Sequence, residues 1–137
     1  MLKKIFCAIL SVLLLGAVWT ITGGSEFKAL NGKSRFYFYN ASSLADSVKS
    51  DEFLPAAYLL RTGESVFIDK YVDYSKIFLK YDAELCFTEE LEEGVSYYGF
   101  SKELKYKKQI NGKIINLHVF VGKNYTVVGT PIIYGGY

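Results

Sequence analysis

Along residues 94–137 apolar and polar positions alternate, and turn residues interrupt them at hairpin spacing. The centre is 113–121. Ile115, Leu117, Val119 and Val121 fall on one side, and Ile114, Asn116, His118 and Phe120 on the other. Side chains alternate faces along a strand, so the pattern predicts a half-buried strand with one apolar face. Asn111-Gly112 precedes it. Both residues tolerate positive φ, which predicts a type I′ turn joining 105–110 to 113–121 as a tight hairpin. In that register Ile110 faces Lys113, Lys108 faces Ile115 and Tyr106 faces Leu117, which puts a lysine on the apolar side. Gly122-Lys123-Asn124 turns the chain into 125–128. The C-terminal third therefore reads as an antiparallel meander.

Upstream, 25–30 reads as a short strand, Asn31-Gly32 as a turn, and 35–39 as a β-prone aromatic run. Together they predict an N-terminal hairpin that ends at 40–43. Ser50-Asp51-Glu52 opens a helix over 51–60, with Phe53, Ala56, Ala57 and Leu60 at helical spacing. Pro55 lies near its start, where a missing N–H costs little. Gly63-Glu64-Ser65 reads as a break, and 66–68 as a short strand. Asp73 caps a helix over 74–81, in which Tyr74, Ile77, Phe78 and Tyr81 form one stripe. That stripe suits packing on a sheet; its other use would be a row of tyrosines that stacks a ligand. The next strand, 83–88, has Ala83, Leu85 and Phe87 on one face and Glu84, Cys86 and Thr88 on the other. The acidic stretch 89–93 reads as a solvated connection. Strands, then helices, then a meander predict an α+β fold: an antiparallel sheet with a C-terminal meander and two helices packed on one face. A small membrane barrel would need eight strands of about ten residues, leaving none of the chain for 74–81.

The N-terminus changes the picture. Lys3 and Lys4 precede an uncharged apolar run, 5–21. A basic start followed by an apolar run predicts an export signal. Residues 1–24 are read as a signal peptide or N-terminal membrane anchor, and 25–137 as a single α+β domain. Thr22-Gly23-Gly24 is the best small-residue cleavage candidate. The run is close to the shortest that spans a bilayer, so both fates stay open. Either fate puts the domain outside the cytoplasm, secreted or anchored; it meets the membrane only through the N-terminal segment, and only if that is uncleaved.

Without 1–24, 14 of the 16 basic residues remain against 14 acidic ones, a domain of about zero net charge. Nucleic-acid binding needs a basic footprint, and none remains. Lys105, Lys107 and Lys108 around Tyr106 read as a charged edge strand that discourages strand-to-strand pairing. Cys7 lies in the apolar run, so Cys86 is the one domain cysteine and no intrachain disulfide forms. The fold must rest on its core, for which a chain that is 50% hydrophobic and 17% aromatic has the material.

Chemistry is sparse. His118 is the one histidine. Cys86 and His118 are both predicted on polar strand faces. Were their strands neighbours, the two would form a thiol–imidazole pair, and a small thiol-type hydrolase is the alternative function. The ordinary reading makes Cys86 a half-buried filler and His118 a polar strand residue. One histidine, one domain cysteine and scattered acids give no metal-ligand spacing. The acids offer no selected pair for glycoside chemistry, and no glycine-rich phosphate loop opens a helix. No catalytic set, metal or cofactor is predicted. Asn40-Ala41-Ser42 and Asn124-Tyr125-Thr126 match the glycosylation acceptor pattern.

The blocks Gly63-Glu64-Ser65, Ser96-Tyr97-Tyr98-Gly99-Phe100-Ser101, Asn116-Leu117-His118-Val119 and Gly129-Thr130-Pro131-Ile132-Ile133 follow in this order. They resemble a group of small uncharacterised bacterial exported proteins. More distantly they are similar to the YwmB-like proteins, whose C-terminal part carries an Asn-Leu strand and a Gly-Thr-Pro ending. The resemblance covers 63–137. It implies an α+β envelope protein and supplies no catalytic residues. The leading reading is thus an exported, non-enzymatic cell-envelope domain that binds an envelope protein or a wall component. Its tyrosines provide contact area with a polar tip. A third reading adds a strand to a partner through an exposed edge bordering the meander.

Overall fold

The computed structural model describes residues 1–21, 24–39, 45–49 and 61–135. Helix α1 (Leu2–Ile21) carries the basic start and the apolar run. Its apolar side chains Phe6, Val12 and Leu15 are exposed. Among the described residues no helix is long and apolar enough to cross a membrane. The segment 25–30, expected as a strand, is a turn closed by the Leu30 N–H donating to the Phe27 carbonyl at 2.9 Å. Phe27 is 1% exposed, so the segment plugs the core instead of forming a hairpin arm.

Strand β1 (Lys33–Tyr39) pairs with β2 (Ala45–Lys49) on one side and β3 (Arg61–Ile68) on the other. The expected helix over 51–60 and the break at 40–43 lie outside the described residues. Gly63-Glu64-Ser65 is not a break but the interior of β3. Glu64, Val66 and Ile68 recur with period two and share one buried face.

Helix α2 (Tyr74–Lys80) starts where Asp73 predicts it. Asp73 Oδ1 accepts from the Ser75 hydroxyl at 2.7 Å and from the Ser75 N–H at 2.8 Å, and these bonds, the hydroxyl's first, hold the carboxyl below its ordinary pKa. Ile77, Phe78 and Tyr81 are buried in the core with Val66, Leu117, Val119 and Val128, the packing that the stripe implies. Strands β4 (Ala83–Leu91) and β5 (Gly94–Ser101) form a hairpin turning at Glu92-Glu93. β4 therefore runs on through most of the acidic stretch expected as a connection. It carries a bulge at Cys86: Leu85 pairs with Gly99, and Phe87 with Tyr98. The extra residue reverses the alternation, so Leu85 and Phe87 do not share a face.

Strands β6 (Lys108–Ile110) and β7 (Lys113–Ile115) meet in the predicted register, Ile110 to Lys113 and Lys108 to Ile115. The turn has Asn111 at φ 51° and Gly112 at φ 74°, the left-handed pair that a type I′ hairpin requires. The hairpin, however, is a separate two-stranded sheet. The run 113–121 divides at Asn116, and Leu117 pairs with Gly99 rather than Tyr106. Lys108 is therefore exposed instead of facing a core, and its Nζ lies over the Tyr134 ring at 5.1 Å. Lys105 and Lys107 belong to a loop, not to an edge strand.

Among the described residues, strands β8 (Leu117–Gly122) and β9 (Thr126–Thr130) complete a seven-stranded antiparallel sheet of order β2-β1-β3-β9-β8-β5-β4. The α+β class, the antiparallel sheet and the C-terminal meander are as the pattern predicts. The half-buried character of β8 is not. Leu117 and Val119 face the α2 side fully buried, but Phe120 is 0% and His118 2% exposed on the other side. That second face is covered by residues 131–135, where Ile133 packs with Phe120 and Val127. Alternation marks a solvated face only if polar residues keep their polar atoms in water. Asn116 and His118 instead find partners inside.

Candidate functional site

His118 lies in a cross-strand row that runs Phe87, Tyr98, His118, Gly129 over β4, β5, β8 and β9. Directly opposite residues share a face, so flat rings in such a row stack. The Tyr98 and His118 ring centroids are 4.2 Å apart, and those of Phe87 and Tyr98 4.5 Å. Gly129 closes the row for a steric reason. A Cβ there would lie 2.7 Å from Ile133 Cγ1 and 2.9 Å from its nitrogen. The bare backbone lets 131–135 cross β9, and the Ile133 N–H donates to His118 Nδ1 at 3.1 Å. With Nδ1 accepting, the ring proton sits on Nε2, 3.1 Å from Ser96 Oγ. Burial pushes the imidazole down to about 3.

Cys86 sits elsewhere. It is the bulge residue of the sheet-edge strand β4, and β5 separates that strand from β8. Two inter-strand spacings put the backbones about 10 Å apart. The cysteine Sγ is 3.9 Å from the Glu84 carbonyl, and the Cys86 carbonyl accepts from Lys113 Nζ at 2.9 Å. The neighbouring strands that a thiol–imidazole pair requires are thus not present, and both His118 nitrogens are engaged in holding structure. Among the described residues no group of three or more His, Cys, Asp or Glu side chains could hold a metal ion.

Two features went unmarked in the sequence reading. The first is a buried polar centre on the α2 face of the sheet. Glu64, 0% exposed, accepts at Oε1 from Ser25 Oγ at 3.1 Å and from the Phe27 N–H at 3.0 Å. Arg61 Nη1 stands 3.7 Å from Glu64 Oε2. The guanidinium also donates to Tyr106 Oη at 2.7 Å and to the Gly24 carbonyl at 3.3 Å. Burial pushes the Glu64 carboxyl up, and Arg61 with the hydrogen bonds pulls the other way. Burial, and then the charge of Glu64, pushes the Tyr81 phenol up to about 12. This centre fastens 24–27 to β3. The signal that could have found it is Glu64 standing in line with Val66 and Ile68.

The second feature is an open cleft of about 390 Å³ at the β4–β5 end of the sheet. Tyr71, Glu90, Val95, Tyr97, Val121 and Lys123 are among its lining. Tyr97 lies flat against Tyr74, 3.8 Å between centroids and 9° between planes, so one of the suspected tyrosine row does stack, on a protein ring. Burial raises the Tyr97 phenol above its ordinary pKa. Tyr71 is 61% exposed. Such a surface can hold a partner by stacking and hydrogen bonding; it contains no nucleophile paired with a base. Comparison with protein-family models, curated proteins and solved structures finds no match.

Proposed function

We propose that this protein is an exported cell-envelope domain that works by binding an envelope protein or wall component, not by catalysis. The observation that carries the binding reading is the cleft together with β4 beside it. Among the described residues β4 is an end strand of the sheet, and it is exposed along most of its length. An open edge offers unpaired backbone N–H and C=O groups to an extended segment, and an adjoining pocket reads its side chains. Tyr71 and Tyr97 add flat contact area with a hydroxyl tip at small entropic cost. Export is supported by the basic and apolar α1, on which Phe6, Val12, Leu13 and Leu15 are exposed. The thiol-hydrolase alternative loses its support with β5 standing between Cys86 and His118.

A photo-reactive side chain placed at Glu90 in the full-length chain tests the binding reading in cells. It should capture a discrete envelope component, and Tyr71→Ala in the same chain should cut the yield several-fold. A photo-reactive Lys28, remote from the cleft, should not capture it. Equal capture from both positions, or none from Glu90, would overturn the assignment of this surface.

A further inference from the structure

We propose that hydrolysis of the Gly24–Ser25 peptide bond creates an α-ammonium group that completes the buried polar centre at Glu64. The proposal rests on the export reading above. Its first ground is a set of three acceptors. Glu64 Oε2, Tyr81 Oη and Thr130 Oγ1 are buried without a hydrogen-bond partner among the described residues. They occupy one neighbourhood. Thr130 is directly opposite Glu64 in the β3–β9 ladder, so both side chains leave the sheet on the same face. The Tyr81 ring packs edge-on against Phe27 with centroids 5.4 Å apart, and Phe27 is bonded to Glu64 through its N–H. An ammonium carries three N–H donors and one positive charge. It therefore suits three oxygens that lack a hydrogen bond, one of them a buried carboxylate oxygen that Arg61 Nη1 faces at 3.7 Å.

The second ground is where the new terminus would lie. Ser25 Oγ is already 3.1 Å from Glu64 Oε1, so the Ser25 nitrogen is within a side chain's length of the carboxylate. Thr22-Gly23-Gly24 is the best small-residue candidate for an export protease, and a cut after it falls before Ser25. Water adds across the bond, leaving a carboxylate on Gly24 and an amine on Ser25 that takes a proton. Cleavage that accompanies export precedes folding, so the domain closes around the new terminus. The Gly24 carbonyl departs as an acceptor of Arg61, and the Ser25 ammonium adds a second cation beside Glu64.

The test uses the full chain, expressed with its own N-terminal segment in a secreting host. Mass spectrometry of the exported protein should place its first residue at Ser25. Acylation of that α-amine should be at least tenfold slower in the folded protein than in denaturant, and Glu64→Gln should restore most of the rate. If that variant does not fold, the pH dependence of acylation in the wild type decides the matter. The amine should titrate above the ordinary α-amino range of about 7.7–8.0. An exported chain that begins elsewhere would overturn the proposal and leave export standing; a chain that stays in the cytoplasm would overturn both. An α-amine at Ser25 that reacts and titrates like a solvated one would mean that the three acceptors are filled by something else.

Discussion

Leu117→Asp should leave the domain unfolded, and Asn116→Asp, one position away, should destabilise it by about 2–4 kcal/mol. Alternation alone predicts a different result for the second variant, because strand neighbours face opposite ways and Asn116 reads as the solvated one. Both are in fact 0% exposed. Leu117 packs among Phe78, Val119 and Val128, where a carboxylate loses its water and gains no cation. The penalty of several kcal/mol is a large share of the ~5–15 kcal/mol that holds a small domain. At Asn116 the cause is the hydrogen-bond pattern. Its Oδ1 accepts from the Ser101 N–H at 2.7 Å, while Nδ2 donates to the carbonyls of Ser101 and Leu104. The amide extends the β5 ladder by one side chain and ties down the loop that follows. Aspartate keeps the acceptor but turns a second oxygen towards two carbonyls. Thermal and urea unfolding of both variants checks this; Asn116→Asp melting with the wild type would show that the amide carries none of this load.

Acidification should weaken the fold well above the carboxylate range, through His118. Its unfolded pKa is about 6.5 and its folded one about 3. Between these values the unfolded chain binds a proton that the folded chain refuses. The stability is thus fully present above pH 6.5 and is lost as pH falls towards 3. The slope is about 1.4 kcal/mol per pH unit, so roughly 2 kcal/mol goes between pH 6.5 and 5. The structural reason is that Nδ1 faces the Ile133 N–H, and a second proton there would set two donors against each other. Glu64 works in the opposite direction. Its folded pKa is raised, so from that value down towards 4.5 the folded state takes up the proton first and gains stability. Comparing wild type with His118→Gln separates the two, since only the histidine term disappears. The variant should be weaker at pH 7, and its deficit should shrink as the pH is lowered to 5. A deficit that stays constant over that range would mean that His118 does not resist protonation in the folded state.

The sequence exposes local rules and hides those that depend on distant partners. The Asn111-Gly112 turn and the Asp73 cap are satisfied within a few residues, and both are found where they were expected. The α2 stripe is legible because a helix turns four apolar residues onto one side. What failed did so at sites set by tertiary neighbours. The bulge at Cys86 is invisible in the alternation of 83–88 and moves Phe87 across the sheet. The burial of His118 depends on Gly129, eleven residues on, allowing the C-terminal segment to cross β9. Gly63-Glu64-Ser65 has turn composition but sits between two long strands, where Glu64 is held by residues 25 and 27 and by Arg61. The cleft joins residues 71, 90–97 and 121–123, which only the sheet order brings together.

Whether the C-terminus is exported is read from a pair of reporter fusions after Tyr137. One reporter folds only after export, as a disulfide-dependent phosphatase does, and the other is active only in the cytoplasm. The exported reporter should be active and the cytoplasmic one silent, and replacing Leu13 and Leu14 by arginine should reverse both. Activity of the cytoplasmic reporter on the unmodified chain, with the exported one silent, would contradict export.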